Sequence, residues 1–140
     1  MNRVSISMDS LSENISFARV AVTAFIATLD PSVDEVSDIK TAVSEAVTNA
    51  IIHGYADSPG TVRINLSTQD KLVTIEVADD GVGIADIAEA REPLFTTKEE
   101  LERSGLGFTV MESFMDSVSV ESTPGQGTTI TLTKALASRE

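Results

Sequence analysis

Val43-Ser44-Glu45-Ala46-Val47-Thr48-Asn49-Ala50, residues 43–50, sets a carboxylate and a side-chain amide four positions apart inside an apolar run. The run belongs to a longer periodic segment. Val36, Ile39, Val43, Ala46, Val47 and Ala50 recur at steps of three and four, the repeat of a helix that buries one face. Ser32 followed by Glu35 predicts a capping box at its start, just after Asp30-Pro31, and Gly54 predicts its end. On such a helix Glu45 and Asn49 share a face, which a turn of about 100° per residue directs away from Ile39, Val43 and Ala50. An isolated pair of this kind is ordinarily a solvated flank. Here Ser44 and Thr48 beside it are small or hydroxylated and leave room for a ligand to approach the helix.

Outward from this helix the periods change. Val4, Ile6 and Met8 alternate with Arg3, Ser5 and Ser7 as in a half-buried strand. Ser10 with Glu13 predicts a second capping box, opening a helix to about Thr28 whose apolar side is Ile15, Ala18, Val22, Phe25, Ile26 and Leu29. Val62, Ile64 and Leu66, then Val73, Ile75 and Val77, predict a hairpin turning at Gln69-Asp70-Lys71. From about Ile84 to Ser104 periodicity is weak, charge and hydroxyls are frequent and Pro93 intervenes, which predicts a long mobile segment, a lid at about 91–105. Phe108, Val110, Met111, Phe114 and Met115 predict a third helix, and Val118, Val120, Ile130 and Leu132 two closing strands around Pro124-Gly125-Gln126-Gly127. With no repeat or linker, residues 1–140 are expected to form a single α+β domain, one layer of helices on one mostly antiparallel sheet.

Composition narrows the functions. The 140 residues carry 22 acidic against 10 basic side chains, a net charge of −12, which opposes direct binding of a nucleic acid backbone. A basic partner protein is compatible with that surface. The absence of Cys removes disulfides and thiolate metal sites, and no apolar run has the length of a signal peptide or a membrane span, so a cytoplasmic location is expected.

The chemistry-bearing residues gather in three clusters. Asp79 has the parity of Val73, Ile75 and Val77, so an extended strand aims its carboxylate inward, where an ionised group calls for a donor. An exocyclic base amine and a turn N–H are both such donors. Gly81 and Gly83 let a flat ring approach the main chain, and also suit an ordinary Asp-Gly turn. Gly105-Leu106-Gly107 opens the third helix, where unpaired N–H groups favour an anion, and Thr96, Thr97, Lys98, Arg103 and Ser104 just upstream offer donors and cations. A carboxylate such as Glu45 can take a proton from an attacking hydroxyl, and an amide oxygen such as that of Asn49 suits magnesium shared with phosphates. Together these clusters predict a pocket for a purine nucleoside triphosphate.

Glu45-Ala46-Val47-Thr48-Asn49-Ala50, Asp79-x-Gly81-x-Gly83, Gly105-Leu106-Gly107 and Gly127-Thr128-Thr129, in this order, resemble the boxes of the ATP-binding fold shared by DNA gyrase, the large heat-shock chaperones, histidine kinases and a mismatch-repair ATPase. The resemblance spans nearly the whole chain. It implies a Bergerat-type two-layer α/β sandwich, its mixed, mostly antiparallel sheet covered on one face by about three helices, with ATP and Mg2+ bound between helices, lid and sheet. Ser16-Phe17-Ala18-Arg19-Val20, the run from Val43 to Tyr55, Pro93-Leu94-Phe95-Thr96-Thr97-Lys98 and Glu102-Arg103-Ser104-Gly105 are similar to those of bacterial anti-sigma factors with serine kinase activity.

That narrower resemblance implies a homodimer that holds a sporulation sigma factor of the F type inactive when ATP is bound. It also implies phosphorylation of a serine on an anti-anti-sigma protein, with release of ADP. By the same resemblance Glu45 activates the acceptor serine, Asn49 holds magnesium, and Asp79 reads adenine beside Gly81 and Gly83. The amides of Gly105, Leu106, Gly107 and Phe108, with Thr96, Thr97, Lys98, Arg103 and Ser104, orient the phosphates, Thr129 lies on the final binding strand, and Arg19 contacts both protein partners. Two rivals stand beside this reading: a histidine kinase ATPase domain, against which the sole histidine His53 sits near a helix end, and an ATP-gated binding module without catalysis, which has no need of Glu45.

Overall fold

The computed structural model describes residues 1–55, 59–84 and 107–137. Among these residues five strands form one sheet: β1 (Asn2–Asp9), β2 (Thr61–Gln69), β3 (Leu72–Asp79), β4 (Ser117–Thr123) and β5 (Gly127–Ala135), in the order β1-β2-β3-β5-β4. All four pairings are antiparallel, where a mixed sheet is expected from the resemblance. The parallel component survives only as direction. The chain leaves β3, returns as β4 at the sheet edge, and β5 then inserts between them, so β3 and β4 run the same way without pairing. The β2–β3 hairpin turns through Asp70-Lys71 between the paired Gln69 and Leu72, with Asp70 in the left-handed region at φ 55°.

Among the described residues three helices cover one face: α1 (Asn14–Ile26), α2 (Val33–Thr48) and α3 (Phe108–Phe114). The alternation of the strands decides which face. Val62, Ile64 and Leu66 of β2, Val73, Ile75 and Val77 of β3 and Ile130 and Leu132 of β5 are buried against Val22, Ile26, Ile39, Val43, Val47, Phe108 and Met111. The alternate residues, among them Arg63, Asn65 and Glu76, occupy the other face, where Asn65 donates to Glu76 at 2.9 Å.

The two expected capping boxes part company. At α2, Ser32 Oγ accepts from Glu35 N at 3.1 Å and Glu35 Oε1 accepts from Ser32 N at 2.8 Å, as its spacing predicts. At α1, Ser10 caps nothing. Its hydroxyl accepts from Gly60 N at 2.8 Å and its own N–H donates to Gly60 O at 3.0 Å, tying the end of β1 to the approach to β2. The helix starts later, at Asn14, with Glu13 in the cap position and no side-chain bond there. It stops at Ile26, before a 3₁₀ turn at Ala27–Leu29, rather than running to Thr28. No helix among the described residues is long and apolar enough to cross a membrane.

Candidate nucleotide-binding site

Helix α2 does not stop cleanly at its end. Past Thr48 the chain widens into a π-turn, Asn49–Gly54, a form of backbone that gathers at functional sites. Asn49 heads this turn and is buried, at 6% exposure. The Glu45–Asn49 face is therefore not the solvated flank an isolated pair would give. Ala42 and Ala46 share that side of the helix and are fully buried, because α3 packs along it. Glu45 is half-buried, and burial raises its carboxyl pKa above the ordinary range.

Gly107, the residue before α3, explains how the first and third boxes meet. Its φ is 62°, and a methyl group in place of its hydrogen would overlap Glu45 Oε2. Glycine suits this left-handed backbone, and its missing side chain leaves the Glu45 carboxylate where it lies. Phe108 follows as a core residue, 2% exposed, which anchors the helix beneath its first turn.

Asp79 ends β3 with its side chain turned inward, as parity requires, and is 7% exposed. Its Oδ1 accepts from Gly81 N at 2.9 Å, and the backbone N–H of Thr128 also donates to the carboxylate. Burial nevertheless outweighs these two donors, and the repulsion of neighbouring Asp80 adds to it, so the Asp79 pKa is raised; Arg63 opposes weakly. Of the two donors weighed for this carboxylate, the turn N–H is present. The turn itself is possible only because backbone meets backbone: a methyl group on Gly81 would overlap the carbonyl of Gly54, which accepts from Val82 N at 3.0 Å.

Around Asp79 lies a cleft of about 280 Å³ whose walls include Asn49, His53, Val82, Ile84 and Thr128. One expected position needs restating. Thr128, not Thr129, faces this cleft: Thr128 pairs with Asp79 in the β3–β5 register and has the parity of buried Ile130 and Leu132, while Thr129 projects from the opposite face. The alternation of β5 contained that signal. Thr96, Thr97, Lys98, Arg103, Ser104, Gly105 and Leu106, and with them the expected lid at about 91–105, lie outside the described residues. Arg19 is exposed on α1, between Phe17 at 56% and Val20 at 68% exposure, and takes no part in the cleft. His53, Ile84 and Val82 are walls that residue chemistry did not single out.

The donor set fits a nucleotide with magnesium. Among the described residues no group of three or more His, Cys, Asp or Glu could hold a metal ion by itself. A metal here would be completed by phosphate oxygens and water around the single amide of Asn49, the usual preference of Mg2+ in phosphate-transfer sites. The cleft supplies the complement for a base: apolar Val82 and Ile84 for its faces and the Asp79 carboxylate for its edge.

Fold and cleft together define a nucleotide-binding domain, and comparison with known proteins agrees. Residues 8–134 match the histidine kinase-like ATPase domain. In overall fold the chain is similar to the RsbU and RsbW domains of a Mycobacterium tuberculosis protein, with TM-score 0.70 and 21% identity over 99% of this chain and 34% of that one. It is also similar to the nucleotide-free catalytic domain of histidine kinase ThkA, with TM-score 0.58 and 16% identity over 97% of both chains. In sequence it is 60% identical to the anti-sigma F factor of Bacillus licheniformis over 97% of this chain and 94% of that protein. The anti-sigma F factor of Geobacillus stearothermophilus is 58% identical over 99% and 96%. The chain belongs to the histidine kinase-like ATPase family and, within it, to the anti-sigma F factors.

Proposed function

We propose that this chain binds Mg-ATP, holds a sporulation sigma factor of the F type inactive in that state, and phosphorylates a serine of an anti-anti-sigma antagonist, releasing ADP. The observation that carries the reading is the convergence of three distant boxes: Glu45 against Gly107, and Asn49 and Asp79 on one cleft.

In this reading Asp79 reads the adenine amine, with Gly81 and Gly83 letting the ring lie against the main chain. Asn49 would hold Mg2+. When bound, the metal neutralises phosphate charge that the protein's own net charge of −12 would otherwise repel. Glu45 takes the proton of the incoming serine hydroxyl as that oxygen bonds to the γ-phosphorus and the bond to the bridging oxygen breaks, leaving ADP. A raised pKa makes Glu45 a stronger base than a solvated carboxylate. The amides from Gly105 to Phe108, with Thr96, Thr97, Lys98, Arg103 and Ser104, steady the phosphates, since such catalysis is mainly positioning and charge stabilisation.

Partner capture falls to Arg19, a cation between exposed Phe17 and Val20, which suits an amphipathic contact. If sigma factor and antagonist both use it, they compete. The chain acts in the cytoplasm as a homodimer, for which β1, at the end of the strand order with Val4 40% exposed, offers an open edge.

The test combines calorimetry with labelled transfer. Saturable heat with Mg-ATP, ATP-dependent retention of the sigma factor and label on an antagonist serine are the expected results. No heat and no thermal protection would overturn the nucleotide reading. Heat without transfer would reduce the protein to an ATP-gated binding module.

A further inference from the structure

Ser122 of β4 lies opposite Thr128 in the β4–β5 register and is not part of the cleft wall, yet its hydroxyl is a junction. Ser122 Oγ stands 2.7 Å from Ile84 N, 3.0 Å from Gly127 O and 2.8 Å from Thr128 Oγ1. A serine hydroxyl has one proton and two acceptor positions. The Ile84 N–H fills one acceptor position, and the carbonyl of Gly127, which can only accept, takes the proton. The remaining position is filled only by a proton from Thr128.

The consequence falls on the cleft. Once the Thr128 hydroxyl proton is committed to Ser122, its oxygen turns only lone pairs to a ligand. Beside it stands Asp79, an acceptor when ionised and paired with Thr128 across the β3–β5 ladder. This wall therefore presents acceptors alone. At the 6-position an exocyclic amine brings hydrogens to this wall and a 6-oxo group brings a lone-pair oxygen; N1 is an acceptor in the first base and an N–H donor in the second.

We propose that Ser122 is a specificity-determining residue for the base: by holding the Thr128 proton it makes the base-reading wall acceptor-only and selects 6-amino over 6-oxo purines. The proposal rests on the nucleotide reading above and adds to it a positioning residue behind the cleft. With Ser122 absent, Thr128 rotates and donates into the cleft, and the oxygen of a 6-oxo base becomes acceptable.

The experiment measures the affinities of the full chain for Mg-ATP and Mg-ITP, whose bases differ at C6, amine against carbonyl, and at N1, lone pair against N–H. Wild type is expected to prefer ATP. Ser122→Ala should reduce the ATP-to-ITP affinity ratio by about 3- to 10-fold, the worth of one net hydrogen bond, and Ser122→Thr should restore it. Should Ser122→Ala fold poorly, Thr128→Val serves: it removes the hydroxyl that Ser122 orients, lowers the same ratio, and makes a residue-122 change in its background silent. An unchanged ratio with both affinities falling together would make Ser122 a brace and overturn the proposal. A wild type without preference between the two nucleotides would instead overturn the assignment of Asp79 as the adenine reader.

Discussion

Asp79 and Glu45 are both carboxylates lifted above their ordinary pKa by burial, but they are held differently. Asp79 is pinned between the N–H groups of Gly81 and Thr128, which oppose the cost of burying it; for Glu45 burial is the one resolved cause, and its neighbour is a glycine hydrogen. The difference suits the two tasks. A carboxylate that reads a base must stay ionised and still, and backbone donors favour its charged form. A carboxylate that accepts a proton during each transfer is better left without such donors, because every bond to its charged form would weaken it as a base.

The largest expected effect comes from the unpinned end. Glu45→Ala should lower phosphoryl transfer by about 10² to 10⁴ while leaving nucleotide affinity within roughly twofold, measured as label on the antagonist against calorimetric affinity. Equal losses in both would mean that Glu45 binds rather than reacts. At the pinned end the pattern reverses. Asp79→Asn removes a charged acceptor at a cost of about 1.5–3 kcal/mol, some 10- to 150-fold in ATP affinity, and the transfer rate at saturation should move far less. Undiminished ATP affinity in that variant would erase the distinction between the two carboxylates.

Gly107→Ala probes the boundary between them. The left-handed backbone at φ 62° should cost about 1–2 kcal/mol of stability, and the new methyl group displaces the Glu45 carboxylate. Transfer is expected to fall about tenfold. Because Gly107 does not line the cleft around Asp79, base preference should not change. A shift in ATP-to-ITP preference with an unaltered transfer rate would show that Gly107 serves the base end instead.

How much of this was legible in the sequence depended on how local each cause is. Ser32 and Glu35 cap α2 through bonds three residues apart, so their spacing sufficed. Ser10 offered the same pattern but is claimed by Gly60, 50 residues away, a competitor invisible to local reading. Parity placed Asp79 correctly, and the same parity along β5 points to Thr128 through Ile130 and Leu132, where resemblance to a motif had pointed to Thr129. That protein also covers the helix beside Glu45 and Asn49 was not legible, because the apolar companions on that side, Ala42 and Ala46, are small and α3, which packs on α2, lies some 60 positions downstream.

The smallest effect is a pH dependence whose sign separates the carboxylates of the site from those of the surface. A group with a raised folded-state pKa binds its proton more tightly folded than unfolded, so for Asp79 and Glu45 stability rises as pH falls through the raised values toward the ordinary carboxylate range. Glu35 is opposite: the backbone N–H groups of Ser32 and Ala137 hold its pKa low, so its contribution is present above the unfolded value and lost as pH falls through the lowered one. Asp80, lowered by Arg63, behaves likewise, and solvent screening keeps both surface contributions small. For these two groups the ligand-free protein should therefore gain in Tm as the pH is lowered from neutral. The gain should shrink in Asp79→Asn, while the extra protection given by Mg-ATP weakens as pH falls, because a protonated carboxyl is a poorer acceptor than a carboxylate. Thermal scans with and without nucleotide that fall in parallel would show that burial of these two carboxylates does not govern the site.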